Sequence, residues 1–175
     1  MAKPTLHPES GFRRLRIDIA YDGTNFYGWG AQPDRRTIQD LVEEAISRIS
    51  RVDTESIVAG RTDAGVHATG QVIHVDVPDA MFDGELNYID FRYKLNRILD
   101  EDVRIMNITD APDGFHARFS ALRRHYLYKL IDNNDVTPPL SRYDVASWYR
   151  PLEVARMNEA SKLVLGHHDF AAFCK

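Results

Sequence analysis

The 175-residue chain predicts an α+β fold in which two amphipathic helices cover one face of an antiparallel sheet. Three observations carry that prediction. Several segments alternate apolar and polar residues with a period of two. Two others repeat apolar residues at helical spacing. Their order along the first two thirds of the chain is strand, helix, strand, strand, helix, strand.

The first strand is read from Leu15, Ile17, Ile19 and Tyr21, which alternate with Arg14, Arg16, Asp18 and Ala20 and end at Asp22-Gly23-Thr24. Ile38, Leu41, Val42, Ala45, Ile46 and Ile49 then recur on one helical face, with Thr37 placed as N-cap. Ser56 to Ala59 is a short apolar strand, and Gln71 to Val77 is the next, stopped by Pro78. Tyr88, Phe91, Leu95, Ile98 and Leu99 mark a second amphipathic helix. Val103 to Thr109 forms the fourth strand, closed by Asp110-Ala111-Pro112. This βαββαβ order is the ferredoxin-like, RRM-like pattern. The same topology serves RNA-recognition modules, small-molecule sensors and acylphosphatases, so fold does not select function.

After Pro112 the pattern starts again. Arg123 to Asp132 reads as a long strand with Arg124, Tyr126 and Tyr128 on one face, followed by a Pro138-Pro139 loop. Glu153 to Leu165 reads as a helix with Val154, Met157, Ser161 and Val164 inward and Gly166 as its stop. One strand, one helix and the few residues from Asp169 to Phe173 do not bury a core unaided. The expected organisation is a flexible tail over 1–11, a ferredoxin-like domain over 12–112 and an incomplete second α+β domain over 113–175.

Hydrophobic content of 43% and charged content of 27% belong to an ordinary globular chain. No apolar run is long enough to span a bilayer and no signal-peptide pattern is present, so the expected location is cytoplasmic. A lone cysteine, Cys174, leaves no internal disulfide and no cysteine-based zinc cluster. The net charge of −4 does not suggest a nucleic-acid binder, but the charge is segregated. Arg13, Arg14 and Arg16 lie in one acid-free stretch, and Arg118, Arg123, Arg124 and Lys129 in another, from Phe115 to Ile131. Asp76, Asp79, Asp83, Glu85 and Asp90 occupy a segment without Lys or Arg. A basic face is compatible with the negative total, and these cations are candidate RNA phosphate contacts.

Gly60-Arg61-Thr62-Asp63-Ala64-Gly65-Val66-His67 is the most informative stretch. An extended backbone would project Arg61 and Asp63 from the same side, the cation favouring the ionised carboxylate, while Gly65 permits a sharp turn. Local spacing alone fits a common Asp-Gly turn with a surface ion pair equally well, and turn chemistry is the more frequent cause. His67 and His74 have no third ligand at suitable spacing, and adjacent His167-His168 do not easily face one ion, so no metal site is expected. Phosphate-binding Gly-x-x-x-x-Gly-Lys, dinucleotide glycine and Gly-x-Ser-x-Gly patterns are absent.

Gly60 to Ala68, followed by Gln71-Val72, resembles the signature of the TruA family of tRNA pseudouridine synthases. Arg124-His125-Tyr126-Leu127-Tyr128 resembles a second element of that family. Tyr21-Asp22-Gly23-Thr24, closed by Phe26-Tyr27-Gly28-Trp29, resembles a third. The resemblance spans roughly Phe12 to Phe173. It implies a pseudouridine synthase fold and a cofactor-free isomerase that converts uridine to pseudouridine at positions 38, 39 and 40 of the tRNA anticodon stem-loop. Asp63 would then be the catalytic carboxylate, with Arg61 keeping it ionised and oriented against the substrate. Tyr126 would stack on the target uracil, and Tyr128 would pack. The family is homodimeric, which implies a homodimer and tRNA as partners.

Family members usually continue well past the length of this chain, and the further part usually carries a basic residue facing the aspartate and apolar residues lining the base pocket. The chain is accordingly expected to be a fragment or a naturally shortened member with weak or no turnover. Two other classes compete with that reading. A non-catalytic ferredoxin-like RNA-binding module would lack a role for a carboxylate in its binding loop. A small Asp-dependent hydrolase would leave Tyr126 and the basic runs without one.

Overall fold

A computed structural model of the chain describes residues 5–132 and 135–173; Cys174 and the first four residues of the expected tail lie outside them. The chain forms two compact units, Met1–Arg124 and His125–Lys175.

The first unit contains four strands and two helices. They are β1 (Phe12–Tyr21), α1 (Ile38–Ser50), β2 (Ser56–Val58), β3 (Ala68–Pro78), α2 (Tyr88–Ile98) and β4 (Val103–Asp110). The sheet order is β2-β3-β1-β4 and every pairing is antiparallel, the ferredoxin-like arrangement expected from the element order. Register follows the hydrophobic alternation. Leu15 faces Val75 and Ile17 faces Ile73 on one side, while Ile17 faces Ile108 and Ile19 faces Ile105 on the other. The register shifts between Asp18 and Ile19, where Asn107 and Ile105 are successive partners and Met106 is the extra residue. That bulge lets Ile105 and Ile108 both face inward despite their odd spacing.

Both helices form for local reasons. Thr37 accepts a hydrogen bond from the Asp40 N–H at the start of α1, and Asp40 adds a negative charge to the first turn. Arg51, in the left-handed region at φ 61°, closes α1 with its N–H on the Ser47 carbonyl. Asn87 caps α2 by accepting from the Ile89 and Asp90 N–H groups. Ile38, Val42, Ala45 and Ile46 of α1 and Phe91 and Leu95 of α2 are buried on the sheet face built by Leu15, Ile17, Ile19, Ile73, Val75 and Val77. Each large apolar side chain sealed there contributes about 1.5–3 kcal/mol relative to exposure.

The opposite face of the sheet is polar, and part of it is covered by the chain that follows β4. Arg14 is almost fully buried and makes a two-pronged ion pair with Asp76, at 2.7 and 2.8 Å. Its remaining nitrogen donates to the carbonyls of Thr5, Leu6 and Phe115. His74 is buried beside it and accepts from the Ala117 N–H at 3.0 Å. Arg14 and His74 together therefore tie residues 5–6, Phe115 and Ala117 to β1 and β3.

The second unit is sparse. Its sheet is two residues deep, with β5 (Leu130–Ile131) parallel to β6 (Ala146–Ser147), and its helix is α3 (Val154–Lys162). The strand expected over Arg123–Asp132 forms only at Leu130–Ile131, because a strand persists only where a neighbour satisfies its backbone, and β6 supplies two residues. The helix expected over Glu153–Leu165 stops at Lys162, ahead of Gly166. Its expected inner residues Val154, Met157 and Val164 are exposed. The unit begins at His125, so residues 113–124, expected to open the second domain, belong to the first unit.

Candidate active-site loop

The loop from Gly60 to His67 joins β2 to β3 and packs on the loop that follows β1. Two hydrogen bonds stitch their backbones together: Trp29 N–H to the Thr62 carbonyl at 2.9 Å, and Gly65 N–H to the Phe26 carbonyl at 3.2 Å. Trp29 and Phe26 are buried in the core, so the lower loop is anchored by its own aromatics. Within the upper loop the Val66 N–H returns to the Asp63 carbonyl at 3.2 Å, which makes the turn over Ala64 and Gly65. Gly65 takes φ +77°, the backbone conformation that the sequence reserved for it.

Two glycines allow the loops this close approach. A Cβ on Gly23 would lie 2.1 Å from the Val66 carbonyl oxygen. On Gly28, at φ +94°, it would lie 2.7 Å from the Thr62 oxygen and 3.2 Å from the Asp63 carbonyl carbon. Side-chain bonds fix the flanks. The Tyr21 hydroxyl is 2.8 Å from Thr62 Oγ1, and Gln71 Nε2 donates to Tyr21 at 3.3 Å and to the Gly60 carbonyl at 2.8 Å. Burial raises the Tyr21 pKa, so the phenol keeps its proton. At the far end His67 Nδ1 lies 3.2 Å from the Gly23 N–H and 3.0 Å from Asp22 Oδ1. Asp22 is held below the usual carboxylate range, first by the Thr24 hydroxyl bond and further by His67.

Asp63 itself is exposed, with no hydrogen bond or ion pair to its carboxylate among the described residues. A rigid turn thus presents a carboxylate whose lone pairs remain available. Arg61 is exposed too, but it does not pair with Asp63. Its guanidinium runs along Gly30, where a Cβ would stand 3.7 Å from Nε.

The other nominated residues are distributed as follows. Tyr126 and Lys129 belong to the second unit; Tyr126 is exposed, and Lys129 pairs with Asp144 at 2.5 Å. Arg13 donates to Asp79 at 2.8 Å and its guanidinium lies over Phe82, and Arg16 pairs with Asp18 at 3.0 Å. With Arg14 on Asp76, all three cations of the first basic stretch are held by carboxylates. Arg118 lies over the Phe119 ring, and Arg123 and Arg118 have no carboxylate partner among the described residues. Arg124 donates to the Ala59 carbonyl and lies above Gly60, where a Cβ would stand 2.7 Å from its Nε. Of the nominated cations in the first unit, Arg61 and Arg124 are the ones beside the Asp63 loop.

Sequence reading found both loops but not their contact. Gly23 and Gly28 stand in the third family-like element and Gln71 at the start of a strand, and no local pattern says that they meet. The signal was their co-occurrence, since the loop that leaves β1 and the loop that enters its antiparallel neighbour β3 meet at one end of the sheet. A separate cleft of about 310 Å3, lined by His7, Arg14, Asp53, Glu55, His74 and Asp76 among others, contains no residue of the Gly60–His67 loop. Among the described residues no group of three or more His, Cys, Asp or Glu is placed to hold a metal ion, and no helix is long and apolar enough to cross a membrane.

Comparison with known proteins adds a chemical context to this geometry. A family model described as tRNA pseudouridine synthase matches residues 18–120, which include both loops. The tRNA pseudouridine synthase A of Frankia casuarinae is 49% identical over 166 residues, covering 94% of this chain and 59% of the relative. That of Corynebacterium glutamicum is 46% identical over 169 residues, covering 93% and 58%. That of Mycobacterium leprae is 46% identical over 172 residues, covering 93% and 59%. The chain therefore spans less than two thirds of the length of these relatives.

Proposed function

The chain belongs to the tRNA pseudouridine synthase family, and from that premise we propose that it carries the catalytic aspartate of an enzyme that isomerises uridine to pseudouridine. The proposed substrate is the tRNA anticodon stem-loop, at positions 38, 39 and 40, and the proposed setting is cytoplasmic. The observation that supports this most is Asp63. It is an exposed carboxylate without a polar partner among the described residues, on a turn pinned from below by Gly28 and from its flanks by Tyr21 and Gln71.

The reaction breaks the C1′–N1 bond, rotates the uracil and rejoins it through C5. N1 gains a proton and C5 loses one, so composition is unchanged and no cofactor is required. An ionised Asp63 serves either entry to this path. It can attack C1′ and hold the sugar as an ester, or take the C2′ proton to give a glycal. A fixed loop limits the reorganisation either step requires. Arg61, not tied to a carboxylate, is proposed to meet the substrate beside Asp63, and Tyr126 to stack on the uracil once it leaves the helix. Unstacking costs a few kcal/mol, and stacking on an aromatic side chain returns about 1–3 kcal/mol. Arg118, Arg123 and Arg124 are proposed to hold phosphates. Assembly as a homodimer belongs to the same reading.

The test is tritium release from uracil C5 of a labelled tRNA transcript with protein in excess, comparing the parent with Asp63→Asn. Release that the substitution abolishes, while RNA still binds, is the expected result. Equal release from both forms would sink the assignment.

A further inference from the structure

The loop beneath Asp63 carries a second feature that the catalytic reading leaves unused. Tyr27 is 49% exposed although its neighbours Phe26 and Trp29 are buried, and the Arg35 guanidinium lies 4.3 Å from its ring centroid. The loop is closed behind them: Tyr27 N–H donates to the Arg36 carbonyl at 3.0 Å, and Gln32 Nε2 donates to the Tyr27 carbonyl at 2.8 Å. An exposed tyrosine is thus held in place by backbone bonds, not by burial of its ring.

The Arg35 charge is not committed to a carboxylate among the described residues. Arg13, Arg14, Arg16 and Arg36 of the same unit are each committed to carboxylates, Arg36 to both Asp100 and Asp102. Arg35, toward the end of this loop, and Arg61, whose side chain lies on Gly30 within it, make no ion pair among the described residues. The only acids beside them in sequence are Asp34 and Asp63. Gly28 presses this loop on the Asp63 backbone and Gly30 carries the Arg61 side chain, so the Tyr27–Arg35 pair is continuous with the candidate active-site loop.

Resting on the proposed action on RNA, we infer that Tyr27 and Arg35 form a docking surface for an unpaired nucleotide of the RNA substrate. A base stacks on the tyrosine–guanidinium pair while the cation meets the adjoining phosphate. Arginine planes and aromatic rings are the two side-chain surfaces on which splayed bases stack, and here they are already assembled. Such a surface recognises a looped strand and ignores a fully paired helix, whose bases are not available.

The experiment measures binding of the 175-residue chain to a labelled anticodon stem-loop hairpin, and to a fully paired RNA duplex of equal length. Tyr27→Ala and Arg35→Gln are each expected to weaken hairpin binding about 5-fold or more, from the lower end of the range for losing one stacked base upward. Tyr27→Phe should bind like the parent, as should Arg48→Gln on the exposed side of α1, and duplex binding should change less than twofold. Thermal melts of all variants should match the parent, which separates loss of contact from loss of fold. Hairpin binding by Tyr27→Ala and Arg35→Gln within twofold of the parent overturns the docking surface and leaves the catalytic reading standing. An equal loss on hairpin and duplex also overturns it, because a simple phosphate contact would then account for the effect. Absence of any RNA binding by the parent overturns both readings.

Discussion

Gly28 lies so close to Thr62 that a single methyl group would not fit: a Cβ built on it would be 2.7 Å from the Thr62 carbonyl oxygen. The obstacle is backbone, and no rotamer change relieves it. Gly28 also sits at φ +94°, where any other residue is strained. Gly28→Ala is therefore expected to cost about 3 kcal/mol, combining left-handed strain with overpacking, and to displace Asp63. Gly65 is the control. Its φ of +77° is equally unfavourable for alanine, but no atom lies within 4 Å of its missing Cβ. Gly65→Ala should cost only about 1 kcal/mol. Urea unfolding of the two variants measures the difference, and equal losses would mean that the close approach contributes nothing.

Tyr21 offers a gentler probe of the same loop. Its hydroxyl links Gln71 to Thr62 inside the core edge, and Tyr21→Phe removes only that atom. Stability should fall by about 1 kcal/mol as two half-buried polar groups lose a partner. If the bond also orients Asp63, turnover falls more than RNA affinity. A stopped assay showing unchanged turnover with the expected stability loss would confine Tyr21 to a structural role.

Burial, then Arg14, then His116 push the His74 pKa down to about 4, with Asp76 opposing them. His116 is lowered as well, first by burial and then by Arg14. A depressed imidazole pKa means that the folded state takes up its proton later than the unfolded chain does. The stabilisation is complete above about pH 6.5, the unfolded value, and is lost as pH falls from there toward 4. Protonation also opposes the bond from Ala117 N–H to His74 Nδ1, so residues 115–117 should loosen with it. The loss should be on the order of 2 kcal/mol. Unfolding curves between pH 7 and 4 should show a slope that His74→Gln flattens, and an unchanged slope in that variant would assign the pH response elsewhere.

The legible and illegible parts of this molecule divide along physical lines. Local signals spoke for themselves. The alternation from Leu15 to Tyr21 placed β1 with its correct inward face, and Thr37 marked the start of α1, because both effects act within a few residues. The strand expected across Arg123 to Asp132 did not form as such, since pairing depends on a neighbour that no local pattern supplies. Arg14 shows the same limit at the level of a side chain. Its position in β1 assigned it to a polar face, which is correct, but the later segment at Phe115 covers that face and buries the guanidinium. Asp63 was identified by resemblance. Its presentation depends on Gly28, which lies 35 residues earlier and carries no chemical signal of its own.

The fate of the arginines yields a paired prediction about RNA binding. Arg14 gives all its donors to Asp76 and to three carbonyls, and its side chain is 5% exposed. Arg14→Gln should therefore destabilise the fold by about 3 kcal/mol, leaving Asp76 without its cation. It should leave the salt dependence of RNA affinity unchanged. Arg124 is the converse case. It is exposed, reaches the Ala59 carbonyl above Gly60, and has no carboxylate partner among the described residues. Arg124→Gln should cost little stability but reduce the slope of log affinity against log salt by about 0.7–0.9, the value for one phosphate contact. Titrations of an anticodon stem-loop at several salt concentrations measure both slopes. A smaller slope in Arg14→Gln, or an unchanged one in Arg124→Gln, would reverse the division between structural and RNA-facing arginines.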